Sequence, residues 1–311
     1  MTESPCARID FPLLNNSIDE CQRLFHGRGQ AYEGWEHLNI DWLSPVALIT
    51  LYKEERRERL IVIAEALIEN IAACQSVQVQ YRSCPKAPIE LLLGEEVTET
   101  IVEELGLKYH IQLGQAQNSG LFLDMRNGRE WVKQHSGNRR VLNLFAYTCP
   151  FSVSAIAGGA SQVVNIDNNK GVLSRGRENH RLNEQDTKKV TFEGVNIFTS
   201  YSRIKKYAPY DLLICDPPSF QKGSVDIKRD YKKIISRIPQ WMNVGSDLML
   251  CLNSPDLTEQ FIFDLVAEYC PDCQFIEMIK PPEVFKEAEQ GRGLKVFIYR
   301  YLPSTYRCSD Q

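Results

Sequence analysis

The sequence lacks several features that would place it in a common class of protein. It contains no stretch of about 18 apolar residues, so it has no helical membrane span. Its first residues, MTESPCARIDFPLL, lack the basic start and the apolar core of a signal peptide. We therefore expect no export and a cytoplasmic location. Its net charge of −4 does not mark the whole chain as a binder of nucleic acid.

Metal-binding and disulfide patterns are also missing. The ten cysteines are scattered, and the closest pair, Cys270 and Cys273, has neither a second such pair nor a histidine pair nearby. A structural zinc ion requires four ligands. We therefore predict no metal site, and reduced thiols at a loop or helix end for this pair.

Charge is distributed unevenly along the chain. Residues 1–112 hold 10 basic and 18 acidic residues, whereas residues 113–311 hold 26 basic and 22 acidic residues. Phosphate binding needs only a local basic patch, so the second part is the better candidate for contact with a polyanion. Any single basic cluster can equally be an ordinary solvated surface.

The length of 311 residues fits two domains. We predict an N-terminal extension over 1–44, a small α+β domain over 45–115 and an α/β domain over 116–311. The hydrophobic pattern of the small domain predicts a helix and four strands, at Arg59–Ala73 and at Val46–Tyr52, Val77–Tyr81, Ile89–Leu93 and Leu107–Leu113.

From about residue 117 strands and helices alternate. Seven segments have the pattern of buried strands: Val141–Phe145, Gln162–Ile166, Val190–Glu193, Asp211–Cys215, Asp247–Leu252, Phe275–Ile279 and Val296–Tyr301. Helical patterns lie between them, at Phe151–Ala157, Lys170–Leu182, Ile227–Ile238 and Thr258–Tyr269. This alternation predicts a doubly wound, mostly parallel sheet, and the last two strands predict a C-terminal antiparallel hairpin.

Such a sheet binds its ligand at the carboxyl ends of its strands. The first strand runs into Asn143–Thr148, which has no G-x-G-x-x-G turn for a pyrophosphate, so a nicotinamide oxidoreductase is disfavoured. The second strand is followed by Asp167, which can accept hydrogen bonds from both ribose hydroxyls of an adenosine, or cap the next helix.

The fourth strand is followed by Asp216-Pro217-Pro218-Ser219-Phe220. Two successive prolines form a stiff turn without amide donors, so its carbonyls remain able to accept hydrogen bonds. Asp216 adds a carboxylate, and Phe220 offers a flat ring on which a base can stack, a contact worth roughly 1–3 kcal/mol. This combination is what the orientation of a nucleobase requires.

Four segments together resemble a known family: GLFLDMR at 120–126, NLFAYTCPFSVSAIAGGA at 143–160, ENHRLN at 178–183, and DPPSF at 216–220. Over roughly residues 105–255 the chain resembles class I methyltransferases, specifically the bacterial large-subunit ribosomal RNA methyltransferases that act on cytosine C5 or guanine N7. The resemblance implies a Rossmann-like domain that binds S-adenosylmethionine, preceded by a small α+β domain.

Carried over by position, the resemblance implies two sets of site residues. Those implied for the cofactor are Asp124, Arg126, Asn143, Phe145, Ala146, Tyr147, Thr148, Asp167, Asn168, Asn196 and Asp216. Those implied for catalysis are Asp216, Pro217, Pro218, Phe220 and Asn253. Asp124 and Arg126 would border the cofactor or form an ion pair between the domains. Asn196 stands where an acid of the family commonly contacts adenine.

The chain departs from the family at two positions. Cys149-Pro150 replaces a frequent Gly-Gly, and Asn253 stands where the cytosine-type members have a cysteine. Cytosine C5 is a poor nucleophile that must first be attacked by a thiolate. We expect Cys215 and Cys251 to be buried within strands, so the sequence favours methylation of a nitrogen.

Two basic clusters are candidates for RNA contact. One lies on a predicted helix, at Lys170, Arg175, Arg177 and Arg181; the other follows the proline turn and is the better candidate, at Lys222, Lys228, Arg229, Lys232 and Lys233. The predicted partner is RNA, which the resemblance implies is ribosomal RNA; we expect no membrane contact, and the sequence leaves a homodimer open. Gly291-Arg292-Gly293 fits a mobile substrate loop or a plain turn.

Two other functions fit the same residues. A protein or small-molecule methyltransferase would keep the chemistry, and a non-catalytic RNA-binding assembly factor would keep only the fold.

Overall fold

The computed structural model describes residues 19–221, 225–289 and 291–303, with the backbone alone for Phe220 and Gln221. The chain forms two compact units. The first takes in the described residues up to Leu123 and a later segment, Glu283–Glu289. The second takes in Asp124–Pro282 and the described residues from Gly291 onward.

The first unit is built on a five-stranded sheet. Its strands, in spatial and chain order, are β1 (Gln22–His26), β2 (Leu38–Leu43), β3 (Val46–Leu51), β4 (Ser76–Tyr81) and β5 (Ile89–Gly94). Helix α1 (Arg57–Asn70) connects the parallel pair β3 and β4 and buries Leu60, Ile63, Ala64 and Leu67. A separate hairpin follows, made of β6 (Glu99–Glu104) and β7 (Leu107–Gln112).

Two strands of this sheet precede residue 45, within the segment predicted as an extension. β2 is buried at five of its six positions, and it therefore lacks the apolar–polar alternation by which a half-buried strand is identified. β1 is short and is interrupted by a register shift between Arg23 and Phe25. The domain limits drawn from the sequence stay a prediction.

The second unit alternates helices and strands. Its elements are α2 (Arg126–His135), β8 (Arg140–Leu144), α3 (Pro150–Ala157), β9 (Gln162–Asp167), α4 (Lys170–Leu182), β10 (Val190–Gly194), α5 (Tyr201–Lys205), β11 (Tyr210–Cys215), β12 (Phe220–Gln221), β13 (Val225–Asp226), α6 (Ile227–Ile235), α7 (Ile238–Trp241), β14 (Met242–Leu252), α8 (Gln260–Tyr269), β15 (Cys273–Ile279) and β16 (Lys295–Tyr301).

Seven of these strands form one sheet, in the order β10-β9-β8-β11-β14-β16-β15. The first five are parallel, and β16 pairs antiparallel with both β14 and β15. Alternate residues of β8 enter different cores: Val141 packs with α2 and α3, whereas Leu142 and Leu144 pack in the cluster that holds α6 and α8. The predicted doubly wound sheet and its terminal hairpin are therefore confirmed.

The helix predicted over Ile227–Ile238 is two helices. α6 ends at Ile235, and α7 begins at Ile238 with Pro239 in its first turn. Proline has no backbone N–H and clashes with a preceding helical turn, so it starts a helix more readily than it continues one. Among the residues that the structure describes, no helix has the length and apolar character to cross a lipid bilayer.

Candidate active site

The sheet brings three predicted strand ends to one edge. Ile166 of β9 pairs with Leu144 of β8, which pairs in turn with Cys215 of β11. The residues that directly follow Ile166, Leu144 and Cys215 in the sequence are Asp167, Phe145 and Asp216. Neighbouring strands lie about 4.8 Å apart, so the backbones of Asp167 and Asp216 are about 10 Å apart. One small ligand can span that distance.

The loop that follows β8 has an unusual backbone. Phe145, Tyr147 and Cys149 adopt left-handed conformations, with φ values of 58°, 49° and 61°. Such values are uncommon for residues with side chains and cost of order 1–3 kcal/mol each. The backbone N–H of Ala146 donates to the carbonyl of Ile166 at 3.1 Å, which fixes the loop to β9. The surrounding structure therefore holds a strained loop at the centre of the edge.

Asp167 holds this loop from the side of β9. Its Oδ2 accepts the backbone N–H of Tyr147 at 3.0 Å, and its Oδ1 accepts that of Asn169 at 2.8 Å. Burial raises the pKa of Asp167, and these backbone hydrogen bonds oppose the rise. The cap of α4 is Asn169, whose side chain accepts from Gly171 and Val172. A carboxylate offers about four acceptor sites, so a hydroxyl donor of a ligand can add to these backbone hydrogen bonds.

A buried chain of polar side chains lies beneath the loop. The amide of Asn143 donates to Asn165, which donates to Ser152 Oγ, both at 2.9 Å. Ser152 Oγ is 2.9 Å from Nε2 of His180, whose Nδ1 is 2.6 Å from Gln185 Oε1. Burial lowers the pKa of His180 to about 4, so the ring is neutral. The side chain of Asn143 is thus buried in this network, and its role toward the cofactor stays a prediction.

Asn179 supports the same loop from α4. It is fully buried, and its side-chain amide donates to the carbonyl of Thr148 at 3.0 Å. Asn179 and His180 belong to the ENHRLN segment, which carries part of the family resemblance, but the sequence predicts no role for either residue. A buried amide that binds a backbone carbonyl has no sequence signature of its own, because its partner is 31 positions away.

Cys149 explains a glycine in the middle of α4. A Cβ at Gly176 would lie 2.4 Å from Sγ of Cys149 and 2.9 Å from its Cβ, closer than real contacts allow. Burial raises the pKa of Cys149 well above its ordinary value, and Asp167 adds to the rise. The residue is therefore a neutral packing thiol. The helix accommodates the departure from Gly-Gly by lacking a side chain at Gly176.

This contact predicts a compensating pair of substitutions. Gly176→Ala should lower the free energy of unfolding by about 1–3 kcal/mol, because the new methyl group overlaps Cys149. In a Cys149→Gly background the same change should cost much less, since glycine removes the thiol and adopts positive φ freely. Urea unfolding of the four proteins should give a coupling energy of about 1–3 kcal/mol. Additive effects would contradict the packing relation.

The proline turn after β11 is fastened to the end of β14. The hydroxyl of Ser219 donates to the carbonyl of Asn253, whose side chain is exposed. The buried hydroxyl of Tyr231 lies within hydrogen-bonding distance of the carbonyls of Cys251, at 3.0 Å, and Cys215, at 3.3 Å. These contacts bring two predicted catalytic segments together.

Within the turn, Pro217 is buried and Pro218 is exposed. The side chain of Phe220 lies outside the described residues, and so does its predicted stacking role.

Asp216 is the half-buried acid of this turn. Burial raises the pKa of Asp216 to about 7, the negative charge of Asp124 adds to the rise, and the positive charge of Arg129 opposes it. Arg129 lies on α2 and is only 1% exposed. Asp124 and Arg126 are the residues of this stretch that the sequence predicts for the cofactor. Arg126 begins α2 and is half-buried, whereas Arg129 was missed.

Asn196 follows β10 and caps a short 3-10 turn. Its Oδ1 accepts the backbone N–H of Phe198 at 2.9 Å, and its side chain is half-buried. The ring of Phe198 lies 6.2 Å from that of Phe145, in a tilted arrangement. An aromatic pair therefore borders the loop on the side of β10.

The cysteines of the edge are not reactive. Cys215 and Cys251 have no exposed surface, and burial raises the pKa of both thiols above the ordinary range. Cys270 caps the carboxyl end of α8 and lies beside Cys273, with 3.4 Å between their sulfur atoms and no disulfide bond. The prediction of buried strand cysteines is confirmed.

Comparisons with known proteins agree with this arrangement. A family model described as S-adenosylmethionine-dependent methyltransferase matches residues 22–300. The chain is 30% identical to the ribosomal RNA large subunit methyltransferase I of Shigella boydii serotype 18, over 97% of this chain and 83% of that protein. The corresponding protein of Erwinia tasmaniensis is 28% identical, over 94% of this chain and 77% of the relative.

A solved methyltransferase in complex with SAH shares the fold. Its TM-score is 0.82 at 22% identity, and the match covers 92% of this chain and 76% of that one. SAH is what S-adenosylmethionine becomes after it gives up its methyl group. The predicted Rossmann-like class is thereby confirmed. The chain belongs to the family of S-adenosylmethionine-dependent methyltransferases and uses S-adenosylmethionine as its cofactor.

Proposed function

We propose that the protein transfers the methyl group of S-adenosylmethionine to a nitrogen of a base in ribosomal RNA. The observation that carries this proposal is Asp216, a half-buried acid with a pKa of about 7 in a two-proline turn, one strand away from the loop after β8. An acid of that pKa can accept a proton near neutral pH. The name of the Shigella boydii relative supports ribosomal RNA as the substrate.

The cofactor fits the β9 side of the edge. Asp167 would accept the ribose hydroxyls, because its two oxygens offer about four acceptor sites and backbone N–H groups do not fill them all. Phe198 and Asn196 would contact the adenine ring. The remaining cofactor residues that we propose are Asp124, Arg126, Phe145, Ala146, Tyr147, Thr148 and Asn168.

The base fits the β11 side. The carbonyls of the turn and the carboxylate of Asp216 would accept hydrogen bonds from the base, and the exposed amide of Asn253 would bind its edge. S-adenosylmethionine supplies a methyl group on a positively charged sulfur. The nitrogen in this step carries a hydrogen: as it forms its bond to that methyl carbon and the carbon–sulfur bond breaks, Asp216 would take the proton that the nitrogen loses. Holding both partners in line supplies most of the rate.

The burial of the thiols near the site favours a nitrogen over cytosine C5 as the methylated atom. Attack on the ring would require an exposed thiolate. Cys215 and Cys251 are fully buried and have raised pKa values, and by the resemblance Asn253 stands where the cytosine-type members have a cysteine. Proton acceptance by Asp216 suits a nitrogen nucleophile, which needs no covalent bond between the enzyme and the base.

The fold is also compatible with an RNA substrate. The tRNA m1G37 methyltransferase of M. jannaschii shares the fold with a TM-score of 0.61 at 18% identity, over 85% of this chain and 72% of that one. We further propose that the protein acts in the cytoplasm. Whether the protein forms a homodimer stays an open question.

Mass spectrometry of ribosomal RNA nucleosides tests the proposal. Cells with and without the gene should differ by one methylated base, and the purified protein should restore it with S-adenosylmethionine. After the methylated RNA is hydrolysed to nucleosides, the modified nucleoside should carry its methyl group on a nitrogen of the base. A methylated C5, or methyl transfer to protein or small molecules with no change in ribosomal RNA, would overturn it.

A further inference from the structure

Helix α6 has one apolar face and one basic face. Ile227, Tyr231, Ile234 and Ile235 are buried in the core, which leaves the basic residues on the solvent side. The segment 226–237, DIKRDYKKIISR, holds five basic and two acidic residues. This helix therefore presents an excess of positive charge.

Three of these cations lie over aromatic rings. The guanidinium of Arg237 is 4.7 Å from the ring of Tyr201, and Nζ of Lys233 is 5.6 Å from that of Phe198. Nζ of Lys232 is 5.8 Å from the ring of Tyr269. All three rings are half-buried. We name this set the basic–aromatic surface; it comprises Phe198, Tyr201, Arg229, Lys232, Lys233, Arg237 and Tyr269.

One buried carboxylate orients part of this surface. Asp230 is 1% exposed and accepts hydrogen bonds from Arg229, at 2.9 and 2.7 Å, and from Lys233, at 2.8 Å. These bonds hold the pKa of Asp230 well below its usual range. The side chains of Arg229 and Lys233 nonetheless remain 64% and 46% exposed. The carboxylate thus fixes two cations in place while they still face solvent.

The surface adjoins the candidate active site. The ring of Phe198 is 6.2 Å from that of Phe145, which belongs to the loop after β8. Asp226, the cap of α6, pairs through its backbone with Phe220 at the end of the proline turn. A polymer whose base occupied the turn would therefore pass close to these cations.

We propose that the basic–aromatic surface binds single-stranded RNA that flanks the methylated base, an inference that rests on the proposed function. Lys232, Lys233 and Arg237 would neutralise phosphates, and the half-buried rings of Tyr201 and Tyr269 would contact unstacked bases. Alternation of cations with aromatic rings is how proteins hold single strands. An acidic peptide would satisfy the charges but would make no use of the rings.

The test removes two cations that do not contact Asp230. Lys232→Gln/Arg237→Gln is compared with Lys188→Gln/Lys189→Gln, a control of equal charge at two exposed lysines between α4 and β10. The probe is an unmodified large-subunit ribosomal RNA transcript. The first variant should raise the Kd about tenfold or more. It should also reduce the slope of log affinity against log salt by roughly 1.4, about 0.7 for each lost phosphate contact.

Each outcome has one meaning. If the Lys232→Gln/Arg237→Gln variant has the same Kd and the same salt slope as the control variant, the basic–aromatic surface does not bind the RNA. Methylation of RNA by the unaltered protein would in that case still support the proposed function. Displacement of the transcript by polyglutamate at equal charge would overturn RNA as the occupant. If the unaltered protein neither binds nor methylates the transcript, both proposals fail. Calorimetry with S-adenosylmethionine should show the same affinity in all three proteins.

Discussion

Replacement of Asp216 by asparagine should lower kcat by at least about 100-fold, the lower limit for loss of a positioned proton acceptor. The amide is nearly isosteric but cannot take the proton from the base nitrogen. Affinity for S-adenosylmethionine should stay within roughly tenfold, which corresponds to 1.4 kcal/mol. Methyl transfer to the RNA transcript gives kcat, and calorimetry gives cofactor affinity.

The pH profile provides a second signature of the same residue. Because burial raises the pKa of Asp216 to about 7, the carboxyl is protonated below that pH and cannot accept another proton. The value of kcat/KM should therefore rise about tenfold per unit below pH 7 and level off above it. The asparagine variant should lack this step.

An exposed acid serves as the control for Asp216. Asp256 is exposed in the segment after β14, and Asp256→Asn removes the same charge from a solvated position. That variant should keep the kcat and the pH step of the unaltered protein. An Asp216→Asn variant with near-normal turnover would exclude proton transfer to Asp216.

The strand ends could be predicted from the sequence because they depend on local patterns. Buried strands such as β8 and β11 are continuous apolar runs, and in a parallel sheet the residues after such runs share one edge. Asp167 and Asp216 were identified in this way. Asn143 was assigned to the cofactor by the family resemblance; side chains alternate along a strand, and its side-chain amide donates to Asn165 within the sheet.

Residues that act through distant partners could not be predicted. Asn179 contacts Thr148, and Gly176 leaves space for Cys149, only because α4 packs against the loop after β8. Neither position has a periodicity or a spacing that indicates such a contact. The only sequence signal for Asn179 was the ENHRLN segment that resembles the family. Such a resemblance indicates that a residue is important, but it does not show which residue it contacts.

Arg129 is the clearest residue of this kind, and its replacement should have the largest effect on stability. Arg129→Met keeps much of the side-chain volume but removes a buried positive charge from beside Asp124 and Asp216. Loss of one partner from a buried charge pair costs about 3–5 kcal/mol, because the remaining charge is uncompensated; we expect the lower end of this range, because Asp124 and Asp216 are half-buried. Urea unfolding at pH 8, where both acids are ionised in the unfolded chain, measures this loss.

The same substitution should shift the activity profile in a defined direction. Arg129 opposes the rise in the pKa of Asp216, so its removal should move the midpoint of the kcat/KM profile above 7. Asp124→Asn should move it the other way, because Asp124 adds to that rise. Lys133→Met, on the same helix at a half-buried position, should change neither the midpoint nor the free energy of unfolding by a comparable amount.

Opposite shifts from Arg129 and Asp124 would be hard to obtain from a general disturbance of α2, since unfolding or displacement of the helix would move both profiles alike. Shifts in the same direction, or none, would show that these charges do not act on Asp216. Because Asp124 is also a proposed cofactor residue, calorimetry with S-adenosylmethionine must accompany its profile. A change in cofactor affinity alone would alter KM at every pH and leave the midpoint where it was.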